Sequence, residues 1–188
     1  MAQDDLNFSD IAFLVVEADA NFRQLIAGIL RGFGVGGIKE AESADEAMPF
    51  LTGGNVDFVV ADSHLSGVSG FELVQTVRAN PENPSRFIPF IVMMSHTPMT
   101  HVMKARDCGA NIVVAKPFSP AVLYHRLSWV ARDERPFIVT PRYIGPDRRF
   151  KIEGYPNGVG RRAEDQQTDV GEEAGPAMTQ AEIDAMFT

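Results

Sequence analysis

The chain has 188 residues, 45% of them hydrophobic, and its 25 acidic against 17 basic residues give a net charge of −8. That length and apolar content suit one folded domain plus an extension, and the acidity argues against nucleic-acid binding by the bulk of the chain. A lone cysteine, Cys108, excludes an intrachain disulfide and fits a reducing compartment. With no signal-peptide pattern and no apolar run near the ~20 residues of a spanning helix, a cytoplasmic location without membrane contact is expected.

Apolar runs of strand length fall near 11–16, 37–41, 57–61, 89–94 and 111–115, and helical patterns fill the intervals near 20–33, 44–53, 70–79, 98–108 and 120–134. The helix ends carry their own signals. Ser43-Ala44-Asp45-Glu46 reads as a capping box. Thr97-Pro98 and Ser119-Pro120 put proline at the first helical position, where its missing N–H is harmless. Gly53 and Gly109 suit helix ends, and Leu123, Leu127 and Val130 share one face of the last helix. Five β-α units with short connections predict a parallel sheet covered on both faces.

Charge divides the chain. Residues 1–135 carry a net −5, residues 136–162 a net +4 and residues 163–188 a net −7. The expected organisation is a domain over 1–135, a basic Arg/Pro/Gly-rich arm over 136–162 with a short strand at Phe137-Ile138-Val139, a flexible acidic linker over 163–177 and an amphipathic tail over 178–188.

Four polar residues each follow an apolar run: Glu17 after Val16, Asp62 after Ala61, Ser95 after Met94 and Lys116 after Ala115. In an open parallel sheet the carboxyl ends of the strands share one edge, and sites form there. An acid, a carboxylate nucleophile, a hydroxyl and a lysine are therefore expected to converge as a phosphoryl site. With Phe13-Leu14-Val15-Val16-Glu17, Gly67 and Gly70 after Asp62, and Lys116-Pro117-Phe118, the stretch 11–134 resembles the receiver domain of two-component response regulators. The resemblance implies an α/β, flavodoxin-like, doubly wound five-stranded parallel sheet of strand order 2-1-3-4-5, followed here by a C-terminal extension. It implies that Asp62 accepts phosphate from a histidine kinase, that Lys116 neutralises a phosphate oxygen, and that the Ser95 hydroxyl donates to the phosphorylated state. It also implies Mg2+ held by Glu17, Asp62 and the backbone carbonyl of His64, while His64 and Thr97 match positions that modulate loss of phosphate.

Two positions depart from the family pattern. Ala18 stands where receivers carry a second acid, the direct metal ligand, which weakens the expected Mg2+ site; Glu17 is one methylene longer than Asp and Asp19 lies nearby, leaving rescue open. Val113 stands where receivers carry a Tyr or Phe that changes rotamer on activation. The competing reading is a pseudo-receiver that only binds partners, with Glu17 and Lys116 as an ion pair. His96 and His101 read as surface residues, and no spacing supports zinc.

In the arm, Arg142, Arg148, Arg149, Arg161 and Arg162 interleave with Tyr143, Phe150 and Tyr155. Guanidinium forks and aromatic faces suit a planar, phosphate-rich ligand such as a cyclic dinucleotide, with Arg148 and Arg149 as its contacts. The charge pattern favours the alternative, an arm that packs against the acidic domain.

The tail Met178-Thr179-Gln180-Ala181-Glu182-Ile183-Asp184-Ala185-Met186-Phe187 has a capping-box pattern at Thr179 and Glu182, and Ile183, Met186 and Phe187 on one helical face. So short a helix is marginal alone and wants a groove. The decamer resembles the amino-terminal segment of the flagellar motor switch protein that docks on the chemotaxis receiver, which implies docking on a receiver domain, its own, a neighbour's or a chemotaxis paralogue's, with an affinity that phosphorylation shifts. Chance similarity in a disordered terminus is the alternative.

The expected function is a bacterial response regulator without a DNA-binding or enzymatic output domain, acting through protein contacts in chemotaxis or motility. Its partners would be a histidine kinase and, through the tail, a receiver domain or a flagellar switch component. Its chemistry would be limited to self-phosphorylation and autodephosphorylation. The alternative is a phosphorylation-independent adaptor that senses a cyclic dinucleotide through its arm.

Overall fold

The computed structural model describes residues 6–148 and 177–187. Strands β1 (Ala12–Val16), β2 (Gly37–Ala41), β3 (Phe58–Asp62), β4 (Phe90–Met94) and β5 (Ile112–Ala115) form one parallel sheet in the order β2-β1-β3-β4-β5. Helices α1 (Ala20–Gly32), α2 (Ala44–Thr52), α3 (Gly70–Ala79), α4 (Met99–Asp107) and α5 (Pro120–Ala131) alternate with the strands. This is the doubly wound, flavodoxin-like sheet expected from the sequence. Every residue of β3 and β4 is buried, which is why these strands read as unbroken apolar runs rather than alternating ones. The strand order reverses between β1 and β3, so a crevice opens where both deliver their carboxyl ends.

Helix ends follow local chemistry, with three differences from the sequence reading. Pro98 is the N-cap of α4 in extended backbone, not its first helical residue, because the Thr97 side chain is engaged elsewhere and caps nothing. Ser43 accepts from the Glu46 amide, but Glu46 turns to the Glu42 amide instead of closing a box. The reciprocal box forms at Ser69 and Glu72, at the start of α3. Helix α5 stops at Ala131, short of 134, where Asp133 takes a salt bridge from Arg135.

After α5 the chain makes an antiparallel hairpin, β6 (Phe137–Val139) with β7 (Ile144–Pro146), turned by mutual bonds between Thr140 and Tyr143. The hairpin lies on α3 and the α4–β5 turn. Gly109 has φ +94°, and a Cβ there would overlap the Ile144 carbonyl; one on Gly145 would fall 2.7 Å from the Gly109 Cα. Two backbones thus meet where no side chain fits. Beside them Arg78, 1% exposed, donates to the carbonyls of Arg86, Ile88 and Gly109 and to Asn111, with its guanidinium 5.0 Å from the Phe90 ring and 4.8 Å from the Phe137 ring. Burial pulls its pKa down to about 9, which still leaves it charged at neutral pH. Cys108 is buried beneath the same turn, its thiol donating to the Ala105 carbonyl and pushed up to about 12 by burial, so it is inert.

The tail forms helix α6 (Gln180–Phe187), closed at its start by the Thr179–Glu182 box. It packs against α4, β5 and α5 of its own domain. Ile183 and Phe187 are fully buried and Met186 half-buried. No helix among the described residues is long and apolar enough to cross a membrane. Arg149, Arg161, Arg162, Phe150, Tyr155 and the linker expected before Ala177 lie outside the described residues.

Candidate functional site

Glu17 ends the β1 run and receives an amide bond from Asp19 at 3.1 Å, while its own amide donates to the Ala41 carbonyl of β2. Asp62 closes β3 and is 7% exposed; its Oδ1 accepts from the His64 amide at 3.2 Å and from the Ser63 hydroxyl at 3.4 Å. Lys116 follows β5, with a cis bond to Pro117. Its Nζ lies 2.7 Å from Glu17 Oε2 and 2.7 Å from Asp62 Oδ2. The three ends of β1, β3 and β5 therefore meet as one buried triad of two carboxylates and one ammonium. Gly70 lets this edge close: a Cβ there would overlap the Asp62 carbonyl, so α3 starts directly against the site.

Ser95, at the end of β4, is exposed at the rim. The His64 side chain is exposed too, its Nδ1 2.9 Å from the Ser63 hydroxyl. Thr97 is buried, but its bonds run to Met178 of the tail and not into the triad. Asp19, the nearest substitute for the acid absent at Ala18, caps α1 by accepting from the Phe22 amide at 2.7 Å, so its side chain is already in use. Among the described residues no group of three or more His, Cys, Asp and Glu is placed to hold a metal ion.

Phe22 is a site residue that the sequence reading missed. Its ring lies 4.2 Å from Lys116 Nζ and is braced edge-on by Phe118. One aromatic in the first turn of α1 gives no local sign of a partner beyond β5. In the arm, Arg148 sits 3.9 Å over the Tyr143 ring and pairs with Asp107. Both its charge and its flat face are thus met within the chain, and Tyr143, two-thirds of the way along the hairpin, is held by a bond from its hydroxyl to the Pro146 carbonyl.

The model of the response regulator receiver domain matches residues 13–128. The chain belongs to the receiver domain family. It is 28% identical over 118 residues to the chemotaxis protein CheY-3 of Vibrio cholerae, covering 63% of this chain and 89% of that protein. It is 30% identical over 114 residues to the chemotaxis protein CheY of Pseudomonas aeruginosa, covering 61% and 90%. A solved structure of a candidate response regulator from Chloroflexus aurantiacus superposes with a TM-score of 0.60 at 27% identity, over 65% of this chain and 98% of that one. The receiver of this chain thus resembles chemotaxis response regulators, and the matched residues stop before the hairpin and the tail.

Proposed function

We propose that this protein is a two-component response regulator whose Asp62 takes a phosphoryl group from a histidine kinase and which signals through protein contacts in chemotaxis or motility. The observation that carries this reading is Lys116 Nζ at 2.7 Å from both Glu17 and Asp62 on the carboxyl edge of the sheet. Glu17, Asp62 and the His64 carbonyl would hold Mg2+: two carboxylates and a carbonyl suit a hard cation that keeps several waters and takes phosphate oxygens into its shell. When bound, Mg2+ offsets the repulsion between carboxylate and phosphate.

The residues of the chain do the rest. An Asp62 carboxylate oxygen forms the new P–O bond as the P–N bond of the phosphohistidine breaks and the imidazole leaves. Lys116, already poised between the acids, neutralises a phosphate oxygen as a point charge. The Ser95 hydroxyl reaches the phosphoryl group from the end of β4. Water later attacks phosphorus, returning the Asp62 carboxylate and inorganic phosphate. With Ala18 offering no ligand and Asp19 tied to its cap, metal is held weakly. The names of the two chemotaxis relatives support the motility setting, and the tail supports a receiver or flagellar switch component as partner.

The test is acetyl phosphate with Mg2+ followed by intact mass. One phosphoryl group should add, Asp62→Asn should abolish it, and Ala18→Asp should lower the Mg2+ concentration required. No uptake at saturating metal, from either the small donor or a kinase, would leave a pseudo-receiver that only binds partners. The cyclic-dinucleotide reading of the arm draws no support from Arg148, which Asp107 and Tyr143 already occupy.

A further inference from the structure

We propose that the docked tail is the readout of the Asp62 site: helix α6 covers the α4–β5–α5 face in its own chain, and phosphorylation releases it by drawing Thr97 away from Met178. This rests on the reading of Asp62 as phosphoacceptor.

The tail grips the two strand ends that carry the hydroxyl and the lysine of the site. Past β4, Thr97 and Met178 form a reciprocal pair: the Met178 amide donates to the Thr97 carbonyl at 2.7 Å and the Thr97 hydroxyl donates to the Met178 carbonyl at 2.8 Å. Ala177 extends this as an antiparallel bridge to Pro98. At β5, the Gln180 side chain accepts from the Ala115 amide at 2.7 Å and donates to the Val113 carbonyl at 3.0 Å, immediately before Lys116. Gln180 therefore satisfies the open edge of β5 in place of another strand.

Val113 is a buried aliphatic side chain with no polar tip, so no rotamer change on β5 can relay the position of Ser95 to the surface. The Thr97–Met178 pair is the contact that can. Thr97 lies two residues past Ser95 in the same loop. Bringing the Ser95 hydroxyl onto a phosphoryl group at Asp62 carries Thr97 toward the pocket and stretches both of its bonds to Met178. The helix beyond is only 8 residues long, and a helix of that length does not persist without its contacts. Its remaining anchors are the two Gln180 bonds to β5, Ile183 and Phe187 in the groove, the Arg126–Asp184 pair, and Arg135 donating to the Phe187 carbonyl. Linkage makes the effect reciprocal, so a docked tail holds the loop off the pocket and lowers phosphate occupancy.

The experiment uses the full chain, with hydrogen exchange of residues 177–187 followed by mass spectrometry and intact mass read from the same sample. Phosphoryl uptake should speed exchange across α6 about fivefold or more, the factor that one lost hydrogen bond is worth, with β1, β3 and β4 unchanged. Uptake with unchanged or slower exchange overturns the coupling and leaves the Asp62 reading standing; no uptake overturns both. Thr97→Val keeps the side-chain shape without the donor, and Gln180→Ala acts from outside the pocket. Both should free the tail before phosphate is added and raise phosphate occupancy at limiting donor. Freed tails with wild-type occupancy would show that docking and the site are independent.

Discussion

Two segments return to the receiver after α5, and different physics holds each. The β6–β7 hairpin is joined backbone to backbone at Gly109 and Gly145, and the Arg78 guanidinium, sandwiched between Phe90 and Phe137, spends its donors on main-chain carbonyls and Asn111. Arg78, Phe90, Gly109 and Gly145 are all buried. The tail helix is joined by two buried apolar side chains and by bonds from Thr97, Gln180, Arg126 and Arg135, most of them only partly buried. Water competes for such bonds, and little is lost when they open. The hairpin belongs to the folding unit; the tail behaves as a ligand that happens to be covalently attached.

The largest effect should come from attacking the hairpin. Gly145→Ala would place a Cβ 2.6 Å from the Tyr143 hydroxyl and 2.7 Å from the Gly109 Cα, and the Gly109 backbone cannot swing aside as a side-chain end can. Overpacking of this kind costs about 3 kcal/mol, roughly 10 °C in Tm for a chain of this size. Arg78→Met should cost a similar amount, because it orphans the carbonyls of Arg86, Ile88 and Gly109. Thermal unfolding of both variants checks this. A Tm within about 2 °C of wild type would mean that the hairpin is an appendage like the tail.

Ile183→Asp sharpens the contrast from the other side. It puts a carboxylate where the Ile183 side chain is wholly buried. The tail should undock, with proteolysis within residues 177–187 accelerated more than tenfold, while the receiver melts within about 3 °C of wild type because the side chains of its sheet and of α1 to α5 are unchanged. A drop as large as that of Gly145→Ala would place the tail within the folding unit.

The sheet and the triad were legible because each used a local signal. Buried parallel strands leave continuous apolar runs, and Glu17, Asp62 and Lys116 each broke the apolar run of a strand at its carboxyl end, so the crevice rule brought them together. The buried face of the tail was legible from the spacing of Ile183 and Phe187. What escaped the sequence were contacts between residues far apart, each with an ordinary local explanation. Gly109 already suited the end of α4, so nothing marked its meeting with Gly145. Arg78, in the last turn of α3, has the ordinary place of a basic residue at a helix C-terminus, so nothing local marks its burial. Gln180 is a good helix former anywhere, and its pairing with the edge of β5 appears only once the sheet order leaves that edge open.

The smallest effect should be one of pH, and it separates the two segments again. Glu182 accepts from the Thr179 amide and then from the Thr179 hydroxyl, and these bonds hold its pKa below the ordinary 4.5. A carboxylate whose folded pKa is depressed adds stability that is fully present above the unfolded pKa and is lost as pH falls through the folded one. The start of α6 should therefore loosen as pH drops below about 4.5, whereas the hairpin, held by a guanidinium charged throughout that range, should not. The control is Glu182→Gln, which removes the carboxylate that accepts from Thr179. Glutamine keeps the reciprocal cap but carries no titrating group. Hydrogen exchange of residues 177–187, measured across this pH window and corrected for the intrinsic rate, should show a rise in wild type that Glu182→Gln reduces. Identical pH profiles for the two chains would remove Glu182 from the account of what holds the tail.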